Sequence, residues 1–140
     1  MKSKLQQKIW DEEGFRPNMY LDTLHVPTIG VGFNLETILM PKHVAHVWLD
    51  SILCDLLSEL STKHDWFIDL NEERQIVIVD MCYQMGVQGM LKFKKMIEAL
   101  KAEKWEIAAN ELMDSRYADQ TQNRALRNAE ILRTGEMQWD

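Results

Sequence analysis

Half of the chain's six glycines and two of its three prolines fall between Gly14 and Gly32, inside DEEGFRPNMYLDTLHVPTIGVGF at residues 11–33. Proline removes a backbone donor and glycine loses the most entropy on ordering, so no helix can run through this stretch. It reads as a helix end followed by a hairpin. A short first helix, which Ser3 can cap, runs to about Asp11 and is stopped by Gly14. The alternation in NMYLD and the β-branched TIGVGF predict two short strands around a turn at residues 23–27. Gly30 and Gly32 weaken the second strand and signal a close approach to its backbone.

Beyond this stretch the pattern is helical. Val44, Val47, Trp48, Ile52, Leu56 and Leu60 recur at helical spacing after Pro41, predicting one long amphipathic helix to about Leu60. Asn71 reads as an N-cap, with Glu72 and Glu73 at the positive helix end. QIVIVDMCYQMG is apolar nearly all round and predicts a buried central helix stopped by Gly86. Shorter helices follow near residues 91–101, 105–113 and 122–132, with Thr121 able to cap the last. The fold class is therefore α+β, mainly α. It has a small hairpin lobe at about 13–45, a long connecting helix at about 41–60, and a helical lobe at about 62–140 that also takes the N-terminal helix. A chain of 140 residues makes one domain of this, with two lobes.

Composition excludes some functions. The net charge of −6 argues against nucleic acid as a partner. The charge is uneven: residues 1–91 hold 7 Lys/Arg against 13 Asp/Glu, and residues 92–135 hold 9 against 7. No apolar run approaches the roughly 20 residues of a membrane span, and no secretory signal follows the basic N-terminus. The expected location is a cytoplasm. Cys54 and Cys82 are expected to be buried free thiols, and the tryptophans, among them Trp10, Trp48, Trp66 and Trp105, to be mostly core.

Three acids precede Gly14, and Asp22 follows in the hairpin. On a helical projection with Leu5 at zero, Ile9 falls near ~40°, Trp10 near ~140° and Glu13 near ~80°, inside the apolar arc. Glu12 lies near ~340° and Asp11 near ~240°, so only Glu13 looks inward. Burial and the negative helix end both favour a neutral carboxylic acid, able to give up a proton. Asp22, in a turn with backbone donors and water, is suited to staying ionised. Two carboxyls of opposite protonation suit glycoside hydrolysis. Taken alone, the spacing is equally that of an ordinary helix-end Glu and turn Asp.

The segment as a whole, E-G-x-R-x-x-x-Y-x-D-T followed by T-I-G-x-G, resembles the catalytic stretch of the phage-type, T4 lysozyme-like endolysins, family-24 glycoside hydrolases. Glu13, Gly14, Arg16, Tyr20, Asp22, Thr23, Thr28, Ile29, Gly30 and Gly32 carry the match. MCYQMG at 81–86, the segment at 93–112, SRYADQTQNRALR at 115–127 and RTG at 133–135 resemble the family's helical lobe. Only residues 35–70 fall outside, and there this chain is shorter.

The resemblance implies a lysozyme-like fold with a cleft between the lobes. It also implies a muramidase that cleaves the β-1,4 bond between N-acetylmuramic acid and N-acetylglucosamine in peptidoglycan. Glu13 matches the general acid, Asp22 the group that holds or activates the attacking water, and Thr28 its helper. Arg124 matches an arginine near the catalytic Glu, while Tyr83 and Gln84 match residues that receive the sugar. Gly32 stands at a substrate-binding position, as do Asn34, Met96 and Glu111 with altered side chains. Phe33 replaces the family's usual histidine.

No cofactor or metal is required by such chemistry. His43, His46 and Asp50 could place three metal ligands on one helix face, against the commoner reading of surface histidines, and His25 sits in the hairpin turn, where it could contact substrate. A lytic transglycosylase would leave Asp22 and Thr28 without a purpose. A non-catalytic wall-binding module is favoured by Phe33 and the acidic charge. A monomer is the default expectation, and the resemblance further implies an enzyme of a phage-infected host, held in the cytoplasm until a holin opens the way to the wall, or a tail-associated domain of the same chemistry.

Overall fold

The structure, a computed structural model, describes residues 1–137; residues 138–140, at the end of the expected helical lobe, lie outside the described residues. Contacts divide the chain into two compact units, 1–46 and 47–140. In the first, helix α1 (Lys2–Glu13) leads into strands β1 (Arg16–Leu21), β2 (Pro27–Gly30) and β3 (Phe33–Asn34), an antiparallel sheet in that order. The third strand was not anticipated. Asn34 creates it by pairing with Thr28, while Phe33 pairs with Ile29. The division also groups α1 with the sheet, whereas the sequence reading placed it with the helical lobe.

Helix α1 ends where expected. Gly14 adopts φ 70°, and its N–H closes on the Trp10 carbonyl at 2.8 Å. Ser3 does not cap it; Met1 stands at the N-cap and offers no side-chain bond. Helix α2 (Lys42–Lys63) runs slightly longer than predicted and crosses from the first unit into the second. Among the described residues, no helix is long and apolar enough to cross a membrane.

The second unit is a helical packing of α3 (Asp65–Ile68), α4 (Glu72–Leu91), α5 (Lys94–Lys101), α6 (Trp105–Met113), α7 (Arg116–Gln120) and α8 (Gln122–Thr134). Helices α3 and α7 are too short to leave a periodic signature. Asn71 caps α4 by accepting from the Arg74 N–H, and Gly86, at φ 79°, breaks the helix as its sequence position required. The helix resumes beyond it to Leu91. Its face is not apolar all round in effect. Val77, Ile78, Met81 and Cys82 are buried, but Ile76 and Tyr83 are exposed. Met96 is also core, 1% exposed, so it cannot be a substrate contact. Helices α6 and α8 pack against each other, and both contribute small buried residues, Ala108 and Ala109 from α6 and Ala125 and Ala129 from α8, beside the buried Leu112 and Leu132.

One buried cation ties the ends of this unit together. Arg74 donates from Nε to the Leu132 carbonyl at 2.8 Å and from Nη2 to that of Arg133, satisfying orphan acceptors at the end of α8. Its guanidinium stacks 3.7 Å from the Trp105 ring centroid. Gly135, at φ 74°, has no side chain because a β-carbon there would meet Arg74 Nη1 at 2.8 Å. Trp105 is thus a half-buried platform. Trp10 and Trp48 are about half exposed, so the tryptophans are less internal than expected.

Of the two thiols, Cys82 is buried and Cys54 is exposed on α2, which corrects the expectation for Cys54. Burial, and secondarily the Glu59 charge, push the Cys82 thiol up to about 11. A thiol reagent at neutral pH is expected to modify Cys54 rapidly in the folded protein and Cys82 only after unfolding. Equal native rates would contradict this packing.

Candidate active site

The hairpin of the first unit is built around Asp22. Its Oδ1 accepts from the backbone N–H groups of Leu24 at 2.8 Å and Val26 at 2.9 Å. Its own N–H donates to the Val26 carbonyl, and its carbonyl accepts from His25 at 3.0 Å. His25 therefore serves the turn, at φ 61°. This leaves Oδ2 with no hydrogen-bond partner among the described residues. Thr28 donates from Oγ1 to the Val26 carbonyl at 2.8 Å, so Asp22 and Thr28 are fixed to the same residue. Thr28 is 4% exposed and, among the described residues, the only buried one in 1–46.

At the other end of β2, Gly30 and Gly32 take φ 68° and 67°. The close approach expected there is real at both positions. A β-carbon on Gly32 would lie 2.6 Å from Glu13 Oε2 and 2.8 Å from its Cδ. The Glu13 carboxyl thus occupies the space that any other residue at 32 would fill. On Gly30 a β-carbon would lie 2.9 Å from the Phe33 ring, so the unusual Phe33 has a fold contact of its own. Glu13 is the last residue of α1, as its helix-end role required. The expected burial is absent: no residue of α1 is buried, and Glu13 is exposed. Asp11 and Glu12 hold Gln7 and Lys8 along the helix, as solvated neighbours would.

Other residues of this unit shape the hairpin. The Arg16 guanidinium lies 4.3 Å from the Tyr20 ring centroid along β1. Asn34 accepts the Glu36 N–H through Oδ1 at 2.9 Å, so its acceptor is committed to the chain reversal after β3. His43, His46 and Asp50 form no metal set; among the described residues, no group of three His, Cys, Asp or Glu side chains could hold an ion.

In the second unit, Tyr83, Asp80 and Arg124 line a groove of about 560 Å³ whose remaining walls, including Leu49, Leu53 and Ile76, are largely apolar. Arg124 is committed to Asp80, donating from Nε at 3.0 Å and from Nη2. Asn128 donates to the same carboxylate at 2.9 Å. Burial acts to raise the Asp80 carboxyl, but the hydrogen bonds from Arg124 and Asn128 and the charges of Arg124 and Arg127 outweigh it, holding Asp80 below its usual range. The Asp80 hydrogen bond likewise leads in pushing the Arg124 guanidinium up. Gln84 accepts from the Tyr117 hydroxyl at 2.7 Å. Sequence reasoning missed Asp80, Tyr117 and Asn128. The spacing of Arg124 and Asn128, one turn apart on α8, was the available signal for a shared partner.

Two outcomes follow for stability. Gly32→Ala is expected to cost about 2 kcal/mol, from a β-carbon at positive φ and the displaced Glu13 carboxyl, measured by denaturant unfolding. An unchanged midpoint would contradict the contact. A carboxyl depressed in the folded state stabilises fully above its unfolded value and loses that contribution as pH falls through the folded one. Asp80→Asn is therefore expected to cost about 2 kcal/mol at pH 7, with the gap from wild type closing below about pH 4. A gap independent of pH would contradict the ionic pairing.

Comparison with known proteins fits this geometry. The phage lysozyme family model matches residues 10–130. Probable T4-type lysozyme 1 of Dictyostelium discoideum is 27% identical, with 96% of each chain covered. Probable T4-type lysozyme 2 of the same organism is 26% identical, again over 96% of each. The pre-baseplate central spike protein Gp5 of Enterobacteria phage T4 is 28% identical over 91% of this chain, which spans 27% of that longer protein. With a match that takes in both units, the helix end at Glu13, the hairpin and the helices through α8 up to residue 130, the chain belongs to the phage lysozyme family, glycoside hydrolases that act on peptidoglycan.

Proposed function

We propose that the protein is an inverting N-acetylmuramidase that cleaves the β-1,4 bond between N-acetylmuramic acid and N-acetylglucosamine, with Glu13 as general acid and Asp22 as the group that holds the water. The observation that carries this reading is the Glu13 carboxyl seated over Gly32, in the same hairpin unit that fixes Asp22 by two backbone donors. The contact points of the two side chains, Gly32 and Val26, flank the four residues of β2. An inverting pair needs its carboxyls roughly 6.5–9.5 Å apart, with room between them for the water.

In the proposed reaction Glu13 gives its proton to the glycosidic oxygen as the bond from that oxygen to the anomeric carbon breaks. A water on the opposite face attacks the anomeric carbon and yields a proton to Asp22 Oδ2, the oxygen the hairpin leaves unused. Thr28, anchored on Val26 beside it, keeps that edge of the hairpin in place. Proton exchange with solvent restores both groups. Transglycosylation with one glutamate would leave the doubly anchored Asp22 idle, and a binding module would need neither carboxyl. The role that goes with this reading is lysis of a bacterial host by a phage: a monomeric enzyme, held in the cytoplasm, that reaches the wall after a holin opens the membrane.

The test is clearing of outer-membrane-permeabilised Gram-negative cells, with circular dichroism as the control for folding. Glu13→Gln is expected to fold and to clear about 10³-fold more slowly. Gly32→Ala, which moves the same carboxyl without removing it, is expected to lose about 10²-fold. Wild-type clearing that survives Glu13→Gln would sink the assignment; pelleting with peptidoglycan without any clearing would favour the binding module.

A further inference from the structure

Glu13 reaches Gly32 across a joint with little stiffness of its own. Gly14 stands between the last residue of α1 and the chain that enters β1, at φ 70° and ψ 164°, a conformation that belongs to glycine. A β-carbon there would meet nothing within 4 Å, so no packing at residue 14 restrains the backbone. The Gly14 N–H, bonded to the Trp10 carbonyl at 2.8 Å, holds the helix side of the joint and leaves rotation beyond its Cα free. Past the joint the chain is fixed again, because Arg16 pairs with Gly30 across the sheet. Two aromatic rings bridge the sides. Trp10, three residues before Glu13, and Phe15, two residues after it, stack with centroids 5.5 Å apart and planes 16° from parallel. Neither ring belongs to a core: Trp10 is 49% exposed, Phe15 is 55% exposed, and no residue of α1 is buried. Core packing therefore does not account for the stack. Its position does, since the two rings bracket Glu13 and Gly14.

We propose that the Trp10–Phe15 stack is a clamp across Gly14 that holds α1 at the angle at which the Glu13 carboxyl meets Gly32. Trp10 and Phe15 are positioning residues for the proton transfer. Rotation at Gly14 swings the end of α1 against the hairpin and carries the carboxyl with it. A misplacement of about 1 Å at a reacting group costs on the order of 10²-fold in rate, so a small swing is enough to matter. Stacked rings resist the swing because turning one plane against the other gives up their contact. The inference rests on Glu13 as general acid and deepens that reading by naming what aims the acid.

The experiment is steady-state release of reducing ends from soluble, uncross-linked peptidoglycan chains, with circular dichroism checking the fold of each variant. Trp10→Ala is expected to lower kcat about tenfold and to leave KM within about twofold, because the clamp acts on the acid and not on binding. Trp10→Phe keeps a stack and should recover most of the lost kcat. Phe15→Leu keeps an apolar side chain without the stack and should match Trp10→Ala; it carries the test if Trp10→Ala does not fold. In the Glu13→Gln background, adding either substitution should cost no further rate, since the clamp works through Glu13. A second tenfold loss in that background is what a merely structural role would give, and it overturns the clamp. So does an unchanged kcat in Trp10→Ala or Phe15→Leu, or a loss confined to KM. Glu13→Gln alone at the wild-type rate overturns the general-acid reading itself, which separates that failure from failure of the clamp.

Discussion

A carboxyl and a missing β-carbon share one space in this protein. Gly32 is held at φ 67°, and the atoms of Glu13 lie where a side chain at 32 would begin. The constraint works in both directions. The hairpin fixes how far the last turn of α1 can reach, and the end of α1, set by Gly14, fixes which of three adjacent acids arrives there. Asp22 depends on the same hairpin, since its two backbone donors exist only in the turn that returns β1 to β2. In the proposed chemistry of two carboxyls, both groups are placed by backbone geometry more than by burial. Exposed Glu13 shows this plainly, because no apolar pocket of its own unit surrounds it.

The helical unit solves a different problem. Its core is largely aliphatic, with Met81, Met90 and Met96, and among the described residues its two buried polar side chains, Arg74 and Asn128, each have partners. Arg74 closes the end of α8 against the start of α4, with Trp105 covering its charge. Asp80 gathers Arg124 and Asn128 from a single face of α8. A half-buried charge without a partner costs several kcal/mol, so each cluster pins its helices in one arrangement. The second cluster is also the one that reaches the exposed Gln84 amide, which links the packing of α7 and α8 to a surface group.

How far the sequence reveals this can be judged residue by residue. Helix ends were legible wherever a glycine or a cap enforces them: Gly14, Asn71 and Gly86 all act as read. The two glycines after β2 announced a close approach, though not what would approach. Short elements escaped, because two residues of β3 or five of α7 carry no period. Burial was read least well. The helical projection placed Glu13 inward and the apolar pattern buried Cys54, yet both are exposed. A periodic pattern gives a face and cannot say whether anything covers it. Of the Asp80 network only the one-turn spacing of Arg124 and Asn128 was legible, for the related reason that its members lie up to 48 residues apart and meet only after α4 and α8 have packed.

The account stands or falls on two carboxyls acting on opposite faces of the sugar. The most direct measurement is proton NMR of the reducing end released in the first moments of peptidoglycan cleavage, before mutarotation. Net inversion, with the new N-acetylmuramic acid end appearing first as the α-anomer, is the predicted result. A β-anomer would require a covalent intermediate, and an anhydro sugar would require a reaction without water; either would contradict the role given to Asp22.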